Sequence, residues 1–343
     1  MQILVARARA GHPVSGTSRL LDVANAAGVS LRTASRVLND DPRVAPVTRQ
    51  RVRAVMADLR FQPDAMARSL RAGTDTAIGF VVESISDPFF AEVIDAVERE
   101  MSRHGRSVLV TSTRRDSGWE RDVIGRMLQR RIGGLLLCPT GDDHAWLAAE
   151  RVPVVLVDRP APGLQADLVE IDDYHAAFDA VAHLVAHGHR RIAYIGDTPA
   201  IPTSAARLRG YRDALAQHRV EADERLVNCD CATSEAAAGA VSDLVGGSAA
   251  PTAILSATTR ASLGVVPALH SAWRTDIALV AFGDFPMADA LRPAVTVVDH
   301  PAPEIGRAAA ARLLARLGQP GLPVERIQVP TRMIERGSGE LRP

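Results

Sequence analysis

Leu20, Val23, Ala24 and Ala27 recur at intervals of three and four, which predicts a helix with one buried face, and Ser18 supplies a hydroxyl for its N-cap. Gly28 stops that helix, because glycine enters the left-handed backbone region without steric cost. Val29 can plug the gap to a second helix over about 31–38, capped by Ser30, with Ala34, Val37 and Leu38 inward. Its other face carries Leu31, Arg32, Ser35, Arg36 and Asn39. A third amphipathic helix over about 46–59 would turn Val47, Val52, Val55, Met56 and Leu59 inward. Helix, tight glycine turn and capped helix together read as a helix-turn-helix, whose second helix would lie in a DNA major groove. A plain helical hairpin with an arginine-rich solvated face is the competing reading. After Pro63 a short helix over 64–70 and a linker over 72–75 follow.

From Thr76 the period changes. Short apolar runs over 77–82, 107–113, 134–138 and 154–158 alternate with helical patterns over 89–103, 119–130 and 145–149. A second set follows, with strands over 191–195, 226–229, 253–255 and 277–282 and helices over 174–186, 207–217, 235–245 and 261–271. The remainder reads as a strand over 296–298, a helix over 304–317 and a last strand near 326–329. Such alternation implies right-handed βαβ units and parallel sheets covered on both faces. The expected fold class is an all-α helix-turn-helix head followed by an α/β periplasmic-binding-protein-like body of two doubly wound lobes. The expected divisions are an arm over 1–17, the head over 18–63, the short helix and linker over 64–75, a first lobe over 76–171 plus 299–327, and a second over 172–298 plus 328–340. A ligand would sit between the lobes, at the strand C-termini.

Composition narrows this. The chain has no net charge overall, yet residues 1–75 hold twelve arginines against six aspartates. A basic head on an acidic body points to a polyanion as the head's partner. Three cysteines, Cys138, Cys229 and Cys231, without Cys-x-x-Cys spacing argue against a disulfide framework or a zinc site. No apolar run approaches the ~18 residues of a spanning helix, and the first 17 residues do not read as a secretory signal, so a cytoplasmic location is expected. Those residues are either an arm near DNA phosphates or the product of a start codon placed too far upstream.

Leu-Asp-Val-Ala…Ala-Gly-Val-Ser…Thr-Ala-Ser-Arg-Val-Leu-Asn over 20–39, with Phe-Gln-Pro-Asp-Ala-Met-Ala-Arg-Ser-Leu-Arg over 61–71, resembles the head and hinge of the lac repressor (LacI/GalR) family of bacterial transcriptional regulators. The resemblance extends over roughly residues 18 to 338. It implies a homodimer that grips a pseudo-palindromic double-stranded DNA operator under the control of a small-molecule effector. Residues 64–70 would be a hinge helix in the operator's minor groove, with Leu70 as the apolar wedge, Ala67 allowing close approach, and Arg68 near phosphates beside an unusual Asp64. Leu31 and Arg32 match base-reading positions, suited to a thymine methyl and to guanine O6/N7, and Arg36 a further one. Leu20 and Ser35 belong to the same interface, and Ser30, Thr33, Asn39 and Thr48 would contact phosphates.

For the effector, the resemblance implies Phe89 and Phe90, Asp158 with Arg159, Thr203, Arg207, Cys231, Thr258 and Asp284. Each could equally be a cap, a strand-end charge or core filler. Two departures stand out. Thr258-Thr259-Arg260 replaces the family's Asn-Asp, and Gly283 replaces the first of two aspartates, leaving Asp284. Buried polyol hydroxyls need strong acceptors, so losing two of them and gaining Arg260 disfavours an ordinary neutral sugar. An anionic or less hydroxylated ligand is expected, or a cleft that no longer binds tightly.

Other chemistry is thin. His187 and His189 flank a turn without a third metal ligand, and His300 before Pro301 could sense protonation but reads rather as a hinge contact. There is no Gly-x-Gly-x-x-Gly, P-loop or nucleophile elbow in context. The expectation is a dimeric repressor without cofactor, metal or enzymatic activity. The alternative is a cytoplasmic small-molecule clamp without operator specificity.

Overall fold

The computed structural model describes residues 19–38, 40–61, 77–247 and 250–343. The chain divides into two compact units at Gly73 and Thr74.

Among the described residues the head has three helices, α1 (Leu20–Ala26), α2 (Leu31–Leu38) and α3 (Pro46–Asp58). Gly28 has φ +62°, and the Val29 amide donates to the Ala24 carbonyl at 3.0 Å, closing α1 with the reverse wrap that only a left-handed residue permits. Ser30 caps α2, its Oγ accepting from the Thr33 amide at 3.1 Å. Val23, Ala27, Val37, Val44 and Val52 form the core, with Val29, Val55, Met56 and Leu59 packed against it. Val47 does not join them, being 79% exposed. It sits in the first turn of α3, ahead of the stretch that faces α1 and α2. Leu38 is half-buried.

The body holds two six-stranded sheets. The first contains β1 (Ile78–Val82), β2 (Val108–Ser112), β3 (Gly134–Leu137), β4 (Val154–Val157), β5 (Asp167–Glu170) and β11 (Arg326–Gln328), all parallel, in the order β11-β5-β4-β3-β1-β2. The second contains β6 (Ile192–Ile195), β7 (Val227–Asn228), β8 (Ala253–Ser256), β9 (Ala278–Phe282), β10 (Thr296–Asp299) and β12 (Arg332–Ile334), in the order β12-β10-β9-β8-β6-β7, with β12 antiparallel. The helices are α4 (Pro88–Arg103), α5 (Ser117–Gln129), α6 (Asp173–Ala186), α7 (Pro202–Gln217), α8 (Ser234–Val245), α9 (Thr259–Ser271) and α10 (Ala302–Gly318).

Strand parity places the core. Ile78, Phe80 and Val82 of β1 face Phe90, Val93 and Val97 of α4 and Ile305 and Ala309 of α10, while Val81 joins Ile124 and Met127 of α5 on the other face. In the second lobe Ile192 and Tyr194 pack with Tyr211 and Ala214 of α7, and Ala193 and Ile195 with Val241 of α8 and Val265 of α9. The chain passes between the sheets after Glu170, after Asp299 and after Gln328.

Two strands are absent from the sequence expectations. In β5, Asp167 and Glu170 are buried at the ends of the run because arginines neutralise them: Arg312 and Arg316 for Asp167, Arg326 for Glu170. β12 is a three-residue edge strand with half-exposed sides. Residues 145–149 form a 3-10 helix rather than an α-helix, and α7 begins at Pro202, five positions before the expected start.

Candidate nucleic-acid interface and effector cleft

In the head, the Ser30 cap and the buried face of α2 (Ala34, Val37) turn Leu31 and Arg32 outward, Leu31 being 48% exposed. Thr33 and Ser35 are half-buried on the flanks, as are Leu20 at the start of α1 and Thr48 in the first turn of α3. Ser30 and Thr33 share a hydroxyl hydrogen bond of 2.9 Å. Arg36 is partly committed within the head, its Nε lying 3.7 Å from the Asp41 carboxylate. Arg43 clasps that same carboxylate through Nε and Nη2 at 2.9 and 2.8 Å, and these bonds hold Asp41 well below the usual carboxylate range. Asn39, Ala67, Arg68, Leu70 and the expected hinge helix lie outside the described residues.

In the body, the strand C-termini of both sheets open onto one cavity of about 70 Å³. Phe89, Phe90, Asp158, Arg159, Thr203, Arg207 and Thr258, seven of the nine expected residues, line it. Cys231 does not. It is buried in the core of the second lobe, its thiol 3.2 Å from Asn228 Oδ1. Asp284 does not either; it is drawn away by Arg336, which approaches it at 2.5 and 2.8 Å. Phe90 is only 4% exposed and serves the core more than the cavity. Phe89 and His300 meet edge to face, ring centres 4.6 Å apart, so the Phe89 ring is already engaged with a neighbour.

The lining is dominated by charge: Glu83, Asp87, Asp158, Glu170 and Asp197 against Arg115, Arg159, Arg207 and Arg260. Glu83, directly after β1, is the hub. It accepts from Arg115 Nε at 2.9 Å, Arg159 Nη2 at 3.2 Å and both terminal nitrogens of Arg260 at 3.2 Å. Burial pushes its carboxyl up, but Arg159, Arg115 and Arg260 outweigh that and hold it below its ordinary value. Two arginines carry contacts across the lobes, that of Arg260 to Glu83 among them. Arg115 grips Asp197 with both terminal nitrogens, one of them at 2.9 Å to Oδ1, and Arg260 Nη2 donates to Asp87 at 2.7 Å. Burial raises Asp87, and Arg260 only partly counters it.

Arg207 is also committed. Its Nε donates to Asp173 Oδ1 at 2.7 Å, its Nη1 to the Ala257 carbonyl at 2.7 Å, and its guanidinium lies 3.9 Å from the Phe282 ring centre. Burial lifts Asp173 to about 6 despite that pairing. The departures at 258–260 and 283 are now accounted for. Thr258 caps α9 through the Ala261 amide, Thr259 donates to the Phe282 carbonyl at 3.3 Å, and Arg260 crosses to the first lobe. Gly283 has φ +86°.

Glu83, Arg115 and Asp197 escaped the sequence reading. Each lies just past a strand, and its partner lies 32 or 82 residues away in the chain. The only usable signal was their place at strand C-termini, where ligands of such sheets bind. Among the described residues no group of three His, Cys, Asp or Glu could hold a metal ion, and no helix is long and apolar enough to cross a membrane.

Residues 19–64 match the family model of bacterial regulatory proteins of the lacI family, and residues 181–339 that of a periplasmic binding protein-like domain. The regulator GalR of Salmonella typhimurium is 32% identical over 304 residues, covering 87% of this chain and 89% of its own. The ribose operon repressor of Escherichia coli is 29% identical over 326 residues, covering 92% and 98%. Among solved structures, the lac repressor dimer bound to operator and the anti-inducer ONPF superposes with a TM-score of 0.84 at 23% identity, over 94% of this chain and 99% of that one, a likeness of fold. An exposed Leu31–Arg32 face on a capped helix, joined to a two-sheet body with a polar cleft and to these relatives, makes the chain a transcriptional regulator of the lacI family, with a helix-turn-helix DNA-binding domain and an effector-binding domain.

Proposed function

We propose that the protein is a repressor that binds a pseudo-palindromic operator as a homodimer and is modulated by a small molecule held between its two lobes. The observation that carries the DNA half is the presentation of Leu31 and Arg32, both exposed on α2 while Ala34 and Val37 of the same helix are buried. A rigid helix with an arginine at its N-terminal end is what base reading requires. Relatives that are named repressors, such as the ribose operon repressor, support that sign of regulation. Ser30, Thr33 and Thr48 would fix the register on phosphates, with Leu20, Ser35 and Arg36 beside them.

The effector half rests on the cleft. Phe89, Asp158, Arg159, Thr203, Arg207 and Thr258 would form its walls, with Glu83, Asp87, Arg115, Asp197 and Arg260 as its charged interior. Lobe closure would alter how the two first lobes sit in a dimer, and so couple the cleft to the operator. Relatives named as regulators support a sensor rather than an enzyme, working in the cytoplasm. The test is selection of bound duplexes from a random pool by the full-length protein, followed by binding across a salt series. A two-fold-symmetric consensus with a steep salt dependence supports the proposal. Retention of all sequences alike removes operator specificity and leaves a clamp.

A further inference from the structure

The cavity of about 70 Å³ is far smaller than the roughly 300 Å³ at which small-molecule pockets begin. What fills the difference is the protein's own charge, so any ligand of that cleft enters by parting the contacts that cross it. The two crossings have opposite polarity. In one, the cation is Arg115 of the first lobe and the anion Asp197 of the second. In the other, the cation is Arg260 of the second lobe and the anions are Asp87 and Glu83 of the first.

That polarity selects among ligands. A simple anion can take Arg115 and Arg260, but it strands Asp197 and Asp87 opposite it. A simple cation does the reverse and strands the two guanidiniums. Breaking one side of these partly buried ion pairs is unfavourable, because it leaves an uncompensated charge in a confined cleft. A neutral polyol offers only dipoles where full charges faced one another, and the space near Gly283 is already taken by Thr259 and His300. A molecule with one positive and one negative end leaves every protein charge facing an opposite one. Arg115 and Arg260 meet on the same Glu83 oxygen, at 2.9 and 3.2 Å, so the two crossings lie side by side and those ends must be close together.

Given the reading of the cleft as the effector site, we propose that its ligand is a small zwitterion, an α-amino acid or a molecule with the same adjacent ammonium and carboxylate, whose carboxylate takes Arg115 and Arg260 and whose ammonium takes Asp197 and Asp87. Arg115, Asp197 and Arg260 are then the residues that set specificity.

The experiment is calorimetric titration of the full-length protein with each of the twenty common L-amino acids, with ribose, galactose, succinate and putrescine as comparison arms. The expected result is saturable binding of at least one amino acid. Its methyl ester and its N-acetyl derivative, each lacking one charge, should bind weaker by about tenfold or more. Asp197→Asn and Arg260→Gln should weaken the intact amino acid by a similar factor. The ligand-side comparison decides the matter even if a variant fails to fold. Absence of binding by every amino acid overturns the proposal. So does tighter binding of a sugar, succinate or putrescine; if Asp197→Asn weakens that binding, the cleft remains the effector site and only the ligand class is wrong. Amino-acid binding that ignores both substitutions and both derivatives places the ligand elsewhere and overturns the cleft reading as well.

Discussion

The imidazole of His300 occupies the space that a side chain at position 283 would need. A Cβ built on Gly283 would lie 2.8 Å from His300 Nε2 and 2.0 Å from Thr259 Oγ1, at a backbone φ of +86°. Both strain and overlap oppose any larger residue there. Gly283→Ala should therefore lower stability by about 2 kcal/mol or more, and Gly283→Asp by more still, read from urea denaturation midpoints. Equal stability of Gly283→Ala and the parent would show that Thr259 and His300 move aside freely.

Burial depresses His300 to about 4, with the charge of Arg207 adding to the effect. A free imidazole titrates near 6.5, so between those values the unfolded chain takes up a proton that the folded one refuses. The contribution is fully present above about pH 6.5 and is lost as pH falls towards 4, about 3 kcal/mol in all. Stability of His300→Gln relative to the parent should improve by that order between pH 7 and 4. Asp173 works the other way, since its carboxyl is raised to about 6 and the folded state gains protons first on acidification. A parent-to-variant difference independent of pH would show that His300 titrates normally.

Arg207 and Asp173 are buried together, and each is the other's charged partner at 2.7 Å. Removing the cation alone, as in Arg207→Met, should cost about 3–5 kcal/mol. Replacing both, with Asp173→Leu added, should recover a good part of that loss, because no charge is then left unpaired. Denaturation curves for the two singles and the double give the coupling directly. Strict additivity of the losses would mean that the contact has no energetic weight.

Arg32, exposed on α2, should matter differently from Arg43, whose guanidinium is held by Asp41. Arg32→Ala should cost about 1–3 kcal/mol on the selected operator and relax preference at one base pair. Electrophoretic mobility shifts on single-base operator variants would show it. A uniform loss across all sequences would make Arg32 a phosphate contact.

Much of the fold was legible because each element announces its period. Ile78 to Val82 is an unbroken apolar run, as a strand covered on both faces must be, and Val93 and Val97 of α4 lie on one helical face. The strand β5 was hidden because Asp167 and Glu170 read as solvent residues until the arginines that bury them are seen, more than 140 positions downstream. The cleft divides in the same way. Arg207 and Asp158 could be placed from neighbouring motifs, whereas the link between Arg115 and Asp197 exists only once two lobes have folded. Cys231 and Asp284 show the converse, since a matching position in the chain does not ensure a side chain directed at the cavity.

The three passages between the sheets, after Glu170, Asp299 and Gln328, have a consequence for how the body can be taken apart. Neither lobe is one continuous stretch of polypeptide, so no truncation yields either alone. A fragment ending at Ile171 would lack α10, whose Leu313 packs under β3, and β11, which completes its sheet. Only a rearranged gene, with the segment 302–328 spliced behind the first lobe, would let that half be expressed as an independent piece.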